Sequence, residues 1–227
     1  MSEATRAENV APKPYDLEAH YQELEQKITA AGIPADLGRV RAAFECADRA
    51  HSGQKRRDGS PYVSHCIAAA IITAEMGLDE DSIIAALLHD CTKKLDMDEQ
   101  LALCRHYGIP LDELEQKALK LLHSKTGAAI ARDVFAVDDD VYSAILYHTT
   151  GKPDMTLLEK IIYLADYIEP TRDFPGVEAL RRTVYEDLDR GLLMGLTMTI
   201  DEMEEMGNPV HHMTRDARDY LMKRGIS

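Results

Sequence analysis

Four histidines and two aspartates carry most of the chemistry open to this chain of 227 residues. His89 and Asp90 are adjacent at the end of an apolar run. His65 precedes them, and His123, His148 and Asp166 follow. Each lies on, or at the end of, a helical apolar pattern. Ionisable groups are expensive to bury without partners, so six of them at inward-looking positions point to partnering through metal. A His/Asp donor set without cysteine favours iron, manganese or zinc in a hydrolytic site over a structural zinc knot.

Helical spacing gives the direction of these side chains. His89 follows Ala85 by four residues, and His123 follows Leu119 by four. His148 follows Val141 and Ile145 at seven and three, Asp166 follows Ile162 by four, and His65 precedes Ala69 by four. Two of the histidines lead into similar small-residue turns, Ser124-Lys125-Thr126-Gly127 and Thr149-Thr150-Gly151-Lys152. Both offer hydroxyls, backbone N–H groups and a lysine. The first is expected at a helix N-terminus, which favours anions. Together they read as a phosphate cradle beside a metal. Lys93, four residues after His89, is placed to hold a phosphate oxygen or orient the attacking water. Arg172, shortly after Asp166, is suited to bidentate phosphate binding. Phe174 reads as a core residue and Lys55-Arg56-Arg57 as a solvated loop. His20, His51, His106, His211 and His212 have no ligand-like context.

The elements that position these groups read as helices throughout. A stripe of Leu17, Tyr21, Leu24 and Ile28 ends at Gly32-Ile33-Pro34. A second helix covers about Leu37–His51, with Val40, Phe44, Ala47 and Ala50 inward, and residues 52–61 form a loop. A third begins near Tyr62 and ends at Met76-Gly77. Ser82–Asp90 is apolar almost all round, as befits the centre of a core. Further helices are expected near Asp98–Tyr107 and Leu111–Leu122, then Lys125–Phe135 with Ser124 as its cap. Others follow at Asp138–Tyr147, Leu157–Ile168 capped by Thr156, and one long helix over Val177–Met206. One short helix follows in the tail. No strand-like alternation, internal repeat, dinucleotide fingerprint or P-loop is present. The reading is all-α: a disordered tail over 1–14, a helical extension over 15–50, a metal-binding domain over 51–210 and a C-terminal tail over 211–227.

Bulk properties narrow the function. Hydrophobic residues make up 45% of the chain, enough for a sizeable core, and Trp is absent. The net charge of −14 argues against nucleic-acid or anionic-membrane partners, so an anionic substrate needs metals and a few placed cations. Four cysteines without CxxC spacing, a polar N-terminus and no bilayer-length apolar run fit a cytoplasmic protein with reduced thiols. No feature encodes the oligomeric state, which leaves a homodimer open.

These residues resemble the HD-domain phosphohydrolase superfamily, whose pattern is an early His, an HD dipeptide and a late Asp around metal. The segments LLHDCTKKL, LLHSKTGA, YHTTGKPDMTLLEKIIYLADYIEP and RDFPGV are similar to those of the YqeK family of HD-domain hydrolases. That resemblance covers about Tyr62–Met206. It implies a helical bundle around a binuclear centre, iron first, with manganese or cobalt compatible. It also implies symmetrical hydrolysis of a dinucleoside polyphosphate, diadenosine tetraphosphate, into two ADP by a metal-bridging hydroxide. Its ligands would be His65, His89, Asp90, His123, His148 and Asp166, with Asp90 bridging. Asp90 and Lys93 would act in catalysis, and Lys125, Thr149, Thr150, Gly151 and Arg172 would contact phosphate. The earlier stretch AHSGQKRRDGSPYVSHCIAAAIITAEMGLDEDSIIAALLHD resembles the HD domain of guanosine tetraphosphate hydrolases. Those enzymes follow HD with an acidic pair, where this chain has Cys91-Thr92-Lys93-Lys94. The alternatives are an HD phosphohydrolase for guanosine tetraphosphate or a nucleoside monophosphate, and a nucleotide-binding regulator without turnover.

Overall fold

A computed structural model describes residues 15–226; the expected tail over 1–14 lies outside them. Among the described residues the regular structure is eleven α-helices, one 3-10 turn (Glu115–Lys117) and a single isolated bridge between Lys55 and Pro61. The helices are α1 (Leu17–Ala30), α2 (Leu37–Ala50), α3 (Val63–Glu75), α4 (Glu80–Leu88), α5 (Met97–His106), α6 (Leu119–Phe135), α7 (Asp139–Tyr147), α8 (Leu157–Ile168), α9 (Val177–Glu186), α10 (Leu188–Glu205) and α11 (His212–Lys223). None is long and apolar enough to cross a membrane. The four cysteines are unpaired.

Side-chain caps start most of them. Asp36, Asp79 and Asp138 each accept a hydrogen bond from a backbone N–H in the first turn of the helix they open. Asp96 and Thr156 form reciprocal capping boxes with Glu99 and Glu159, satisfying donors that the helix itself cannot. Helices α3 and α4 are buried almost all round and form the centre. Helix α1 packs on α3, α2 on α3 and α4, α7 on α4, and α8 on α3. Tyr21, Leu24 and Ile28 of α1, and Val40, Phe44 and Ala47 of α2, share one apolar core with α3 and α4. The N-terminal helices therefore close the core that carries the site. Helix α11 packs on α10 and contributes Ala217 and Leu221.

Two boundaries differ from the sequence reading. The expected Leu111–Leu122 helix is a 3-10 turn, and α6 runs unbroken through Ser124. The Ser124 hydroxyl donates to Leu121 O at 3.1 Å, so it satisfies a carbonyl within the helix and caps nothing. Lys125 is thus mid-helix, away from free N–H groups, and the first half of the expected phosphate cradle loses its dipole. The long helix over 177–206 is two. Asp187 is extended (φ −154°, ψ 107°) and accepts from the N–H groups of Asp189 and Arg190, opening α10 afresh. The chain doubles back there, and Gly191 lies against Val184 of α9.

Candidate metal centre

Three helices and two turns bring the six residues together. His65 stands on α3, His89 and Asp90 just beyond the end of α4, His123 on α6, His148 just beyond α7, and Asp166 on α8. The turn holding Asp90 is locked to α6 by a buried polar cluster. The Thr92 hydroxyl donates to His123 O (2.9 Å), and Gln100 Nε2 donates to Thr92 O (2.6 Å). Gly127 faces this turn, where a Cβ would stand in van der Waals contact with His89 O at 3.4 Å.

The donor atoms fall into two groups that share Asp90. In the first, Nε2 of His65 lies 2.8 Å from Asp166 Oδ1 and 3.6 Å from Asp90 Oδ2, and Nε2 of His89 lies 3.6 Å from Asp90 Oδ2. In the second, Nε2 of His123 and of His148 lie 3.1 and 3.6 Å from Asp90 Oδ1. One carboxylate oxygen therefore serves each group. Asp90 is fully buried, and its Oδ1 has no hydrogen-bond partner.

The tautomers explain why this arrangement wants cations. His89 Nδ1 lies 2.7 Å from Ala86 O and His148 Nδ1 lies 2.7 Å from Ile145 O. A carbonyl only accepts, so each ring proton is assigned to Nδ1 and each Nε2 is a bare lone pair. These lone pairs face carboxylate oxygens and other imidazoles; the His65–His89 and His123–His148 Nε2 separations are 3.2 and 3.1 Å. Two buried imidazole lone pairs aimed at carboxylate oxygens and at neighbouring imidazoles call for positive charge between them. The donor set suits borderline divalent ions, and the backbone carbonyls are the outer partners that orient metal-binding histidines. Burial, the largest influence, would push Asp90 up, but the surrounding positive charge, the Lys93 ammonium 2.9 Å away included, holds it well below the ordinary carboxylate range. Burial pushes His148 down to about 4, which keeps it neutral as a ligand must be.

Around this centre stand cations and a tyrosine. Lys93 Nζ donates to Asp90 Oδ2 at 2.9 Å, and the Tyr62 hydroxyl donates to the same oxygen at 2.9 Å. The Arg172 guanidinium pairs with Asp166, and its Nε donates to Asp166 O at 2.8 Å. Both Lys93 and Arg172 keep about a third of the side chain exposed (33% and 32%), so each can meet a ligand from solvent. Sequence reasoning missed Tyr62, one turn before His65, and Glu169, one turn after Asp166; the i,i+3 spacing was the available signal. Arg56, expected in a solvated loop, instead reaches Glu169 at 2.7 Å.

The expected phosphate contacts are placed less uniformly. Lys125, Ser124 and Thr150 line a cleft of about 230 Å³, where Lys125 pairs with Glu115 at 2.7 Å. Thr149 donates to Ser124 Oγ at 3.1 Å. Gly151 has φ +64°, and its N–H is already taken by Tyr147 O at 2.8 Å. Its role is therefore the turn itself, and the expectation of a free backbone donor there is corrected. Phe174 packs edge-on to Tyr167 against the core, as expected. His211 and His212 lie beside Asp112. Met213 N–H donates to His211 Nδ1, which assigns the ring proton to Nε2; that nitrogen lies 3.4 Å from both Asp112 and Glu115 without an aligned hydrogen bond.

Comparison with known proteins agrees with this geometry. The HD domain model matches residues 62–171. A symmetrical bis(5'-nucleosyl)-tetraphosphatase of Halalkalibacterium halodurans is 40% identical over 145 residues, which is 61% of this chain and 74% of that protein. A bifunctional (p)ppGpp synthase/hydrolase RelA of Mycobacterium tuberculosis is 48% identical over 56 residues, 25% of this chain and 8% of that one. A crystal structure from Clostridium acetobutylicum, described as a "predicted HD superfamily hydrolase involved in NAD metabolism", superposes with a TM-score of 0.71 at 37% identity. It covers 81% of this chain and 97% of the other.

Proposed function

Because the chain belongs to the HD-domain family of hydrolases, in the group whose curated members are named symmetrical bis(5'-nucleosyl)-tetraphosphatase, we propose that it cleaves diadenosine tetraphosphate at its centre into two ADP. The observation that carries this reading is the pair of donor groups sharing Asp90, one on each carboxylate oxygen. His65, His89, Asp90 and Asp166 would hold one cation, and Asp90, His123 and His148 the other, with iron first and manganese or cobalt compatible. When bound, the cations supply Lewis acidity toward the phosphate and make an attacking water easier to deprotonate.

The chain's own residues supply the rest. Asp90 stays ionised and ties both donor groups to one rigid turn. Lys93, held 2.9 Å from Asp90 Oδ2, projects its ammonium where charge develops during in-line displacement. Arg172, braced on Asp166, offers its remaining N–H groups to a second phosphate. Lys125, Thr149 and Thr150, one turn or less beyond His123 and His148, take outlying phosphate oxygens. Local cations and metals thus let a chain of net charge −14 bind a polyanion. The unpaired thiols fit a reducing cytoplasm.

A second reading, guanosine tetraphosphate hydrolysis, is favoured by the short stretch shared with the (p)ppGpp synthase/hydrolase. The replacement of the acidic pair by Cys91-Thr92-Lys93-Lys94 weighs against it. Incubating metal-loaded protein with each nucleotide anaerobically, and resolving products by chromatography, decides. ADP alone from diadenosine tetraphosphate supports the proposal. AMP with ATP moves the point of attack. No cleavage, with pyrophosphate released from guanosine tetraphosphate, replaces it with the second reading.

A further inference from the structure

Glu169 follows α8 and lies three residues beyond Asp166, which puts it on the same face, turned toward α3. Its side chain is fully buried and crowded with donors. Oε1 accepts from Arg56 Nη2 at 2.7 Å, and Oε2 accepts from Thr171 N–H at 2.8 Å and from the Thr171 hydroxyl at 2.8 Å. The backbone is equally fixed, since Arg181 Nη2 donates to Glu169 O at 2.7 Å. The same Oε1 lies 3.3 Å from Nδ1 of His65. That nitrogen is buried and has no hydrogen-bond partner, the Glu169 carboxylate standing at ion-pair distance from it. The opposite nitrogen, Nε2, is the one that faces Asp166, Asp90 and His89.

His89 and His148 direct Nε2 into the site by giving the Nδ1 proton to a backbone carbonyl three residues earlier. His65 has a carboxylate in that place, and the carboxylate is anchored by an arginine 113 residues away in sequence. We propose that Glu169, held by Arg56, is a positioning residue. It fixes the tautomer and ring orientation of His65 and so sets the affinity of the cation position formed by His65, His89, Asp90 and Asp166, leaving the Asp90, His123 and His148 position untouched. The loop over residues 52–61 thereby becomes part of the metal centre. This rests on the two-cation reading above.

The test separates the two. Metal-free wild type, Glu169→Gln, Glu169→Ala and Arg56→Gln are titrated with Mn(II) and Fe(II) under anaerobic conditions by calorimetry, and bound metal is counted by elemental analysis. Wild type should bind two equivalents. One equivalent should weaken by about 10-fold in Glu169→Gln and up to about 100-fold in Glu169→Ala, and by a smaller factor in Arg56→Gln, while the other keeps its wild-type affinity. Glu169→Gln retains the shape and an acceptor, so it remains informative if the alanine variant does not fold; far-UV circular dichroism in chelator checks this. Two wild-type affinities in Glu169→Gln and Arg56→Gln would overturn the positioning role. An equal loss at both positions with a lowered metal-free melting temperature would make Glu169 a structural residue only. Fewer than two equivalents in wild type would sink the two-cation reading itself.

Discussion

Chelation should lower the melting temperature of this protein far more than a surface effect could. Six candidate ligand side chains, all but Asp166 essentially buried, converge with ring nitrogens and carboxylate oxygens facing one another. Cations that bind only the folded chain stabilise it by mass action, about 2.7 kcal/mol per site when free metal is 100-fold above Kd. Two independent sites give roughly 5 kcal/mol. For a chain of this size each kcal/mol moves Tm by about 2–4 °C, so the difference between metal-loaded and chelated protein is about 10–20 °C. Asp90→Asn removes the ligand common to both groups, and the metal-dependent gain should collapse to a few degrees, about what one weak site leaves. The assay is a circular-dichroism melt at several buffered free-metal concentrations. A wild-type Tm indifferent to metal, or an Asp90→Asn variant that keeps the full gain, would refute the reasoning.

Three further outcomes follow from the geometry. Lys93→Met should retain bound metal but lower kcat by about 10²–10³-fold, the cost of removing one charge-stabilising donor; steady-state kinetics beside a metal count would check it. Gly191→Ala puts a Cβ 2.6 Å from Val184 Cγ2 and 2.8 Å from its Cα. Forcing α9 and α10 apart should cost about 1–3 kcal/mol, read from urea unfolding as a lower midpoint with unchanged m. His51 is buried with Nε2 unpartnered, and burial, only partly offset by the Gln54 hydrogen bond, lowers its pKa. The unfolded chain then binds a proton near the usual value of about 6.5 while the folded one does not. Stability of metal-free protein should therefore fall as pH drops below about 6.5, and less steeply in His51→Gln. Identical pH slopes would rule out that contribution.

Most of the site was legible because its residues obey helical spacing within their own elements. His65, His89, His123, His148 and Asp166 each follow or precede an apolar neighbour on the buried face, and that local rule is enough to aim them inward. Ser124 shows where local rules mislead. A serine ahead of Lys-Thr-Gly reads as a cap, yet its hydroxyl satisfies Leu121 O inside a continuous helix. Tertiary packing of α6 on the Asp90 turn decides the matter, and no short window contains it. At Asp187 the reverse holds. The apolar stripe continues past it, and only the close approach permitted by Gly191 lets the chain fold back there. Arg56 was out of reach for a different reason, since its partner Glu169 lies 113 residues away and nothing local distinguishes it from its neighbours Lys55 and Arg57.

Anomalous diffraction from crystals of the iron-loaded protein tests the two-cation centre most directly. Two peaks are expected, one beside Asp90 Oδ2 among His65, His89 and Asp166, the other beside Asp90 Oδ1 between His123 and His148. A single peak, or iron bound elsewhere such as at Asp112, His211 and His212, would contradict a binuclear centre built on Asp90.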